Sequence, residues 1–339
     1  MPDLITFEEA LERATSGPKL LLGNGFSQAC RSDLFAYNHL IGQANFSGLS
    51  FDVWKAFDAL GTSDFEHVMR AIRHATAVLR AYGEEEGTVA RLEGDAEALK
   101  SILVDAVAKS HPDHPFAISD DEYIACRRFI RRFSKIYTLN YDLLLYWAAM
   151  RNELDDKPIS FDDGFRTPED EDDSAYVTWE PASAKRQSVY YLHGGLHLFD
   201  GGAETRKYTW SRTGVRLIDQ IREAMDAELF PVFVSEGDSR TKLGRIRHHA
   251  YLSKGERSFV EIGGSLFVFG FAMAEQDQHI LDLIAKNKVA ELFVGVFGDP
   301  DSSANKRMVE AAEATRLRRR NPERLAITYY DASSAAVWG

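Results

Sequence analysis

The chain has 339 residues, of which 45% are hydrophobic and 27% are charged, a composition typical of a globular protein with a full core. Its formal net charge of −12 argues against a surface that binds nucleic acid or anionic lipid throughout. Two cysteines, Cys30 and Cys126, cannot form a disulfide framework or a four-cysteine zinc site. The N-terminus lacks an apolar signal core, and no run approaches the roughly 20 apolar residues of a membrane span. We therefore expect a soluble, reduced, cytoplasmic protein.

Short apolar runs alternate along the chain with stretches of helical periodicity. Thr6 followed by Glu9 predicts a capping box that begins an amphipathic helix. Apolar runs without polar alternation predict strands that are covered on both faces, as in a parallel sheet. These runs lie at residues 19–25, 135–140, 188–195, 229–237, 265–271, 291–298 and 325–331. Helical segments at 213–228, 277–287 and 304–320 lie directly before the predicted strands at 229–237, 291–298 and 325–331, and they fit βαβ crossovers. We predict an α/β fold with a doubly wound, mostly parallel, Rossmann-like sheet.

A long interval separates the first predicted strand from the second. One crossover helix is too short to fill it, and most of the interval has helical periodicity. We therefore predict a helical insertion at 46–130, docked on a sheet domain made of 1–45 and 131–339. A second irregular zone, 151–187, contains a run of acidic residues that we interpret as a solvated loop.

Ligands of doubly wound sheets bind beyond the carboxyl ends of the strands, so the residues that follow each strand are candidates. The first strand is followed by Gly23, Asn24, Gly25, Phe26 and Ser27. The two glycines allow the backbone to turn sharply and approach a ligand closely, and free N–H groups at a helix start suit a phosphate. Taken alone, the glycines fit a plain tight turn equally well, because the third glycine of the dehydrogenase fingerprint is missing.

The next two strand ends carry an amide, a carboxylate and an imidazole. Asn140 and Asp142 follow the second strand, where both would also serve as ordinary helix caps. His193 ends the third strand, and the glycines after it leave its ring room to contact a ligand. His193 and His197 have i, i+4 spacing, but the paired glycines disfavour a helix there and no acidic partner follows. We therefore expect no metal site and interpret His197 as a structural or surface residue.

The strand at 265–271 ends in a turn of small residues. Gly270 and Ala272, on either side of Phe271, allow a ligand ring or sugar to lie against the backbone. Asp277 is interpreted as the cap of the next helix. All these groups fall at one edge of one sheet, and together they describe a dinucleotide pocket with an amide, a carboxylate and an imidazole near the sugar.

The order of these motifs resembles that of the sirtuin superfamily. "GNGFS", "TLNYD", "LHGG" and "FGFAM" followed by an Asp are most similar to the sirtuin-like domains of bacterial antiphage systems that deplete NAD+. Those domains carry Asn-Tyr-Asp where this chain has residues 140–142, and a Phe-Glu block similar to "SDFEHVM" at 63–69. The resemblance spans roughly residues 19–300. The chain departs from sirtuin deacylases in lacking zinc cysteines, in Asn24 for alanine and in Leu139 for glutamine. The missing zinc module and the acidic 151–187 region argue against acyl-lysine peptide binding but leave NAD+ cleavage intact.

The resemblance implies a zinc-free NAD+ glycohydrolase that releases nicotinamide and ADP-ribose, with NAD+ as its substrate. Asn140 would bind a ribose hydroxyl and the attacking water, and His193 would accept a proton. The glycine turn would receive the pyrophosphate, and Asp142 would either contact the ribose or only hold Asn140. We expect a homo-oligomer, a partner defence protein such as an ATPase or Argonaute-type protein, or both, and no membrane.

Three other functions are compatible with the same residues. ADP-ribosyl transfer to a macromolecule uses the same first step with a different acceptor, and a silent sensor would bind NAD+ or an ADP-ribose derivative without cleaving it. A nucleic-acid effector would use two arginine clusters, which are Arg127, Arg128, Arg131 and Arg132, and Arg316, Arg318, Arg319 and Arg320. Both clusters lie near predicted helix C-termini, where cations favour the dipole, so direct nucleic-acid binding is not expected.

Overall fold

The structure is a computed structural model with eleven strands and twelve α-helices among the residues that it describes. Those residues are 3–32, 50–61, 65–83, 86–109, 111–112, 114–154, 159, 161–168, 176–182, 186–202, 204–208, 216–227, 229–234 and 239–339. The strands are β1 Lys19–Leu22, β2 Lys135–Thr138, β3 Phe165–Arg166, β4 Tyr176–Trp179, β5 Val189–Tyr191, β6 Gly194–Asp200, β7 Thr205–Tyr208, β8 Phe230–Phe233, β9 Gly263–Phe269, β10 Lys288–Val296 and β11 Ala326–Asp331. The helices are α1 Phe7–Arg13, α2 Gly25–Cys30, α3 Phe51–Leu60, α4 Phe65–Ala81, α5 Glu86–Lys109, α6 Asp120–Ile130, α7 Leu144–Met150, α8 Leu217–Asp226, α9 Ser239–His248, α10 Ala250–Val260, α11 Gln278–Lys286 and α12 Ser303–Leu317.

Six strands form a parallel sheet in the order β11-β10-β9-β1-β2-β5. Numbered along the chain and read from the β5 edge, this order is 3-2-1-4-5-6, so the sheet grows in one direction from β1 and then in the other. Both faces are buried, because Leu20 and Leu22 enter one hydrophobic core while Leu21 enters the other. The predicted α/β class and the two covered faces are therefore confirmed.

The remaining five strands form an antiparallel sheet in the order β3-β4-β7-β6-β8, which the sequence did not predict. The apolar run at 229–237 was expected to be a parallel strand behind a crossover helix at 213–228, and this expectation is wrong. Its strand, β8, pairs antiparallel with β6, so α8 joins two strands of the second sheet. An apolar run indicates burial on both faces, but it does not indicate in which sheet or direction the strand pairs.

The run at 188–195 contains the junction between the two sheets. β5 ends at Tyr191, and β6 begins at Gly194, where φ is +77°. A Cβ atom at Gly194 would lie 1.9 Å from the carbonyl oxygen of Val232, so only glycine fits this approach of β6 to β8. The interval treated as an irregular loop, 151–187, contributes β3 and β4 to the antiparallel sheet.

The described part of the predicted insertion is helical. It contains α3, α4, α5 and α6, and Tyr123 and Phe129 of α6 enter the same core as Phe7 of α1. The capping box of Thr6 with Glu9 is confirmed at the start of α1. Ser63 and the side chains of Phe65 and Glu66, which belong to the motif at 63–69, lie outside the described residues. None of the described helices is both long and apolar enough to cross a membrane.

Candidate functional site

The glycines after β1 and β9 let two turns of the backbone lie in direct contact. The N–H group of Gly23 donates to the carbonyl of Phe269 at 2.9 Å, and that of Gly25 donates to Gly270 at 2.8 Å. A Cβ atom at Gly25 would lie 2.6 Å from the Cα atom of Gly270, and one at Gly270 would lie 2.5 Å from the nitrogen of Phe26. Gly270 also has a φ of +68°, which disfavours any side chain. Glycine is therefore required at these positions so that the backbones of the two turns can pack against each other.

The N–H groups of Gly23, Gly25, Phe26 and Ser27 are engaged with the chain itself, so the expectation of free N–H groups is wrong at these residues. Phe26 donates to the carbonyl of Gly23, and both Ser27 and Gln28 donate to the carbonyl of Asn24, each at 3.0 Å. Asn24 occupies the N-cap position of α2 but forms no side-chain capping bond. Contact of this turn with a pyrophosphate stays a prediction that would require other donors or a rearranged turn.

Asn140, Ser27 and Asp142 form a buried chain of hydrogen bonds between the turns after β1 and β2. The Nδ2 atom of Asn140 donates to Oγ of Ser27 at 2.8 Å, and the Ser27 hydroxyl donates to Oδ2 of Asp142. Oδ1 of Asp142 accepts the N–H of Leu144 at 2.9 Å, in the first turn of α7. Asp142 therefore supports both the start of α7 and, through Ser27, the position of Asn140, whereas its contact with a sugar stays a prediction.

The carboxyl group of Asp142 is difficult to ionise. Burial raises its pKa to about 6, against the opposing effect of hydrogen bonds from the Ser27 hydroxyl and the Leu144 N–H. The carboxyl group therefore changes protonation state just below neutral pH, and its bond with Ser27 is sensitive to that change.

His193 lies just after β5 with its ring buried between the turn after β2 and helix α11. Its Nε2 atom is 2.9 Å from Nε2 of His279, and the two rings are stacked with an interplanar angle of 25°. The residue before His193, Leu192, donates its N–H group to the carbonyl of Thr138 at 2.9 Å, two residues before Asn140. The structure thus brings His193 next to the Asn140 turn, as expected, but it adds a second histidine that the sequence reading missed. The sequence feature that could have indicated His279 is its position two residues after Asp277, at the start of the helix that follows β9.

Three possible metal ligands meet here, although no metal site was predicted. One ligand atom from each of His193, Asp277 and His279 lies within 4.8 Å of the others. However, the buried Lys242 donates from Nζ to Oδ1 of Asp277 at 2.9 Å, so an ammonium group already supplies this carboxylate with a positive charge. That charge would also repel a divalent cation, so the group is better described as a hydrogen-bonded cluster. Asp277 is the N-cap residue of α11 but makes no capping bond, which corrects its expected role.

Both histidines of the cluster are neutral at neutral pH. Burial lowers the pKa of His193 to about 3 and that of His279 to about 4, with further lowering by the positive charge of Lys242. The carboxylate of Asp277 acts in the opposite direction on both rings. The ordinary pKa near 6.5 that was assumed for His193 therefore does not apply in this site.

The turn after β9 contributes little polar surface. The ring of Phe271 is buried in the core between the sheet and α11, whereas Ala272 is exposed. Met273 adopts a left-handed conformation with φ of 53°, which is uncommon for a residue other than glycine. Of the three residues predicted here, Ala272 is the one whose side chain is open to a ligand.

Residues outside this group have structural roles. His197 is buried in β6, where its ring stacks on Tyr146 at a centroid distance of 5.0 Å, which confirms its interpretation as structural. The guanidinium of Arg127 is buried and donates to main-chain carbonyls in the last turn of α7, including that of Ala149 at 3.1 Å. Arg319 likewise donates to the carbonyl of Val289 at 2.6 Å. One arginine in each predicted basic cluster therefore binds the protein's own backbone.

Comparison of the sequence with curated proteins finds no match. A family model described as "Domain of unknown function (DUF4917)" matches residues 20–338, a range that includes every residue of the site described above. Because the match covers nearly the whole chain, the protein belongs to the DUF4917 family.

Proposed function

We propose that this protein is an NAD+ glycohydrolase with a Rossmann-like, sirtuin-type sheet domain. The observation that carries the proposal is the hydrogen-bonded connection of Asn140, Ser27 and Asp142 at the carboxyl edge of a parallel sheet, with His193 just after the neighbouring strand β5. The sheet order 3-2-1-4-5-6 is that of doubly wound dinucleotide-binding folds, in which ligands bind where the strand order reverses. The resemblance of the four motifs to sirtuin-like domains is consistent with this geometry.

The proposed reaction requires the site to hold the ribose and to deliver water to it. Cleavage of the N-glycosidic bond gives an oxocarbenium-like ribose, while nicotinamide leaves as a neutral group. Because Nδ2 of Asn140 is held by Ser27, its Oδ1 atom, which has no donor among the described residues, is oriented to accept a hydrogen bond from a ribose hydroxyl or water. The neutral imidazole of His193 is the nearby group suited to accept a proton. Its Nδ2 atom is held by Ser27 and its main-chain N–H donates to Oγ1 of Thr138 at 3.0 Å, so Asn140 is preorganised for this contact.

A cytosolic enzyme that depletes NAD+ must stay inactive until it is triggered. We therefore propose that it works in the cytoplasm as an effector of antiphage defence. Its control would come from homo-oligomerisation or a partner defence protein such as an ATPase or Argonaute-type protein. The predicted insertion at 46–130, whose described part contains α3, α4, α5 and α6, or the C-terminal segment would make such contacts.

One observation favours a second function, a sensor that binds NAD+ or ADP-ribose without cleaving it. Nε2 of His193 faces His279, and burial makes both rings weak bases. Such a pair would suit ligand binding without proton transfer. ADP-ribosyl transfer would share the first step of hydrolysis and differ only in its acceptor.

The test is to incubate the purified full-length protein with NAD+ and to measure nicotinamide and ADP-ribose. We expect release by the wild type and its loss in Asn140→Ala and His193→Ala, with Asn305→Ala, which lies in α12, as a matched control. Thermal unfolding and NAD+ binding are measured on each variant, so that loss of fold is separated from loss of chemistry. Hydrolysis that survives both substitutions would sink the site assignment. Binding of NAD+ without release of nicotinamide would favour the sensor. ADP-ribose that stays covalently attached to protein would favour ADP-ribosyl transfer.

A further inference from the structure

The two helices next to the Asn140–Ser27–Asp142 chain are too short to hold their own positions. α2 has six residues and carries Ser27, and α7 has seven residues and begins two positions after Asp142. Isolated helices of this length are not stable in water, so bonds to other parts of the chain must fix them. We call residues 111–122, which join α5 to α6 and include the first turn of α6, the connecting segment. This segment supplies bonds to both helices.

His111, at the beginning of the connecting segment, caps the start of α7 from outside the helix. The N–H group of Leu143, at the N-cap position of α7, donates to Nε2 of His111 at 3.0 Å. The next N–H group, that of Leu144, donates to Oδ1 of Asp142 at 2.9 Å. The first N–H groups of a helix have no partner within it, so His111 supplies an acceptor that a leucine side chain cannot. Its ring also packs against Trp147 at a centroid distance of 4.6 Å.

Two hydrogen bonds determine the tautomer of His111. Its Nδ1 atom lies 2.8 Å from the carbonyl oxygen of Pro112, which can only accept, while its Nε2 atom accepts the N–H group of Leu143. Nδ1 therefore carries the hydrogen and Nε2 has the lone pair. Burial lowers the pKa of this ring to about 4, so at neutral pH it is uncharged and able to accept. A hydrocarbon ring would fill the same space but could not accept this bond.

Arg31 joins the other end of the connecting segment to α2. It is the C-cap residue of this helix, and its main-chain N–H donates to the carbonyl of Ser27 at 3.0 Å. Its guanidinium donates to the carbonyl of Cys30 at 2.6 Å, to that of Ala117 at 2.8 Å and to both carboxylate oxygens of Glu122. One planar group therefore binds the last turn of α2 and the connecting segment at the same time.

Glu122, the partner of Arg31, is held in place by the start of α6. It forms a capping box with Ser119, in which one carboxylate oxygen accepts both the N–H and the hydroxyl of Ser119 at 2.8 Å. The hydrogen bond from Arg31 is the main cause that lowers the pKa of Glu122 to about 2, so the pair is charged at neutral pH. The connecting segment thus holds the end of α2 through an ion pair and the start of α7 through a neutral ring.

We propose that Arg31 and His111 are positioning residues of the site, through which the connecting segment sets Ser27 against Asn140. They act through α2 and through the turn before α7. The expected effect on reaction rate rests on the proposed NAD+ hydrolysis, whereas the expected effect on the two helices does not. Because the connecting segment belongs to the predicted insertion at 46–130, contacts made by the insertion would reach the site through it.

Hydrogen exchange tests this coupling without requiring activity. His111→Phe keeps a ring against Trp147 but removes the acceptor, whereas the amide oxygen of His111→Gln can still accept. Arg31→Met removes the donors, and Arg132→Met, which breaks an exposed pair with Glu8, is its control. In His111→Phe and in Arg31→Met, exchange should accelerate at both α2 and α7 by about 3- to 10-fold, the effect of one lost hydrogen bond on local opening. The other two variants should exchange like the wild type. Acceleration confined to the nearer helix in each variant would overturn the inference.

Nicotinamide release tests the link to the reaction. In His111→Phe and Arg31→Met, kcat should fall by about 10-fold or more while KM changes by about twofold at most, because misplaced groups at the reacting centre cost mainly rate. His111→Gln should retain most of the wild-type kcat. Accelerated exchange with an unchanged kcat would overturn the positioning role. If the wild type releases no nicotinamide, the proposed hydrolysis fails, and exchange alone decides whether the segment couples α2 to α7. The side chain of Arg31 is partly exposed, so Arg31→Met decides the outcome if His111→Phe does not fold.

Discussion

The side-chain amide of Asn140 donates a 2.8 Å hydrogen bond to the hydroxyl of Ser27, although the two residues follow different strands of the parallel sheet. That hydroxyl donates a hydrogen bond to the carboxyl group of Asp142, so one oxygen atom connects a buried amide with a buried carboxyl group. Because a hydroxyl is both donor and acceptor, no apolar residue of similar size can replace it. The position of Asn140 therefore depends on Ser27.

The first prediction concerns this hydroxyl. Ser27→Ala leaves a buried amide without its acceptor and a buried carboxyl group without its donor, which should cost roughly 2–4 kcal/mol of unfolding free energy. The rate of nicotinamide release should also fall in Ser27→Ala, because the amide of Asn140 is no longer held by the Ser27 hydroxyl. Urea unfolding of this variant is compared with Ser258→Ala, which removes a single hydroxyl contact with Tyr137. Equal losses in the two variants would contradict a bridging role for Ser27.

The second prediction concerns the pH dependence of stability at Asp142. Its pKa of about 6 in the folded protein lies above the 3.8 of an ordinary aspartate, so between pH 4 and 6 the folded state binds more protons than the unfolded state. This group therefore lowers stability as pH rises from 4 to 6, by on the order of 2–3 kcal/mol. In Asp142→Asn that contribution is absent, while the amide oxygen can still accept from Leu144.

Urea unfolding at pH 4, 5, 6 and 7 measures this effect. The stability of Asp142→Asn relative to wild type should increase across pH 4 to 6 and then level off. Buried histidines oppose the trend in both proteins and cancel in the difference. Asp301→Asn, on the surface, serves as the control. A stability difference that does not vary with pH would mean that Asp142 titrates like an exposed carboxyl group.

The parallel sheet was predictable because its strands are uninterrupted apolar runs. Leu20 and Leu22 alternate with Leu21 between two cores, and such burial on both faces requires apolar residues at every position. The antiparallel sheet was not predictable, because its strand order and direction depend on pairing between distant segments, which no local pattern of residues indicates. The sharp entry of β6 at Gly194 is set by the approach of Val232, which no local pattern reports.

The candidate site was predictable to the extent that its residues directly follow strands. Asn140 and His193 were found in this way, and the structure places them after the paired parallel strands β2 and β5. His279 was missed because it lies within the helix after β9, where a histidine has no distinctive spacing. The role of Asp142 stayed open because a helix cap and a ribose ligand require the same residue type at the same place.

The third prediction concerns the contact between the turns after β1 and β9. In Gly270→Ala the new Cβ atom meets the nitrogen of Phe26 at 2.5 Å, and the left-handed backbone disfavours a side chain. Together these effects should cost about 2–5 kcal/mol of unfolding free energy. Gly94→Ala is the matched control, because Gly94 lies within α5 with open space around it, and it should stabilise the protein by up to about 1 kcal/mol. Similar stabilities of the two variants would contradict the close approach.

The last prediction concerns the C-terminal segment, which closes over the glycine turn. Nε1 of Trp338 donates to the carbonyl of Phe26 at 2.9 Å, and the two rings are in contact. Trp338→Phe keeps an aromatic ring but leaves that buried carbonyl without this donor. Trp179→Phe makes the same change at another buried tryptophan, whose Nε1 has no hydrogen-bond partner within the described residues. Because both variants lose similar ring area, Trp338→Phe should lose about 1–2 kcal/mol more unfolding free energy than Trp179→Phe. Hydrogen exchange at α2 should also accelerate in Trp338→Phe alone, and unchanged exchange there would show that the segment does not support the glycine turn.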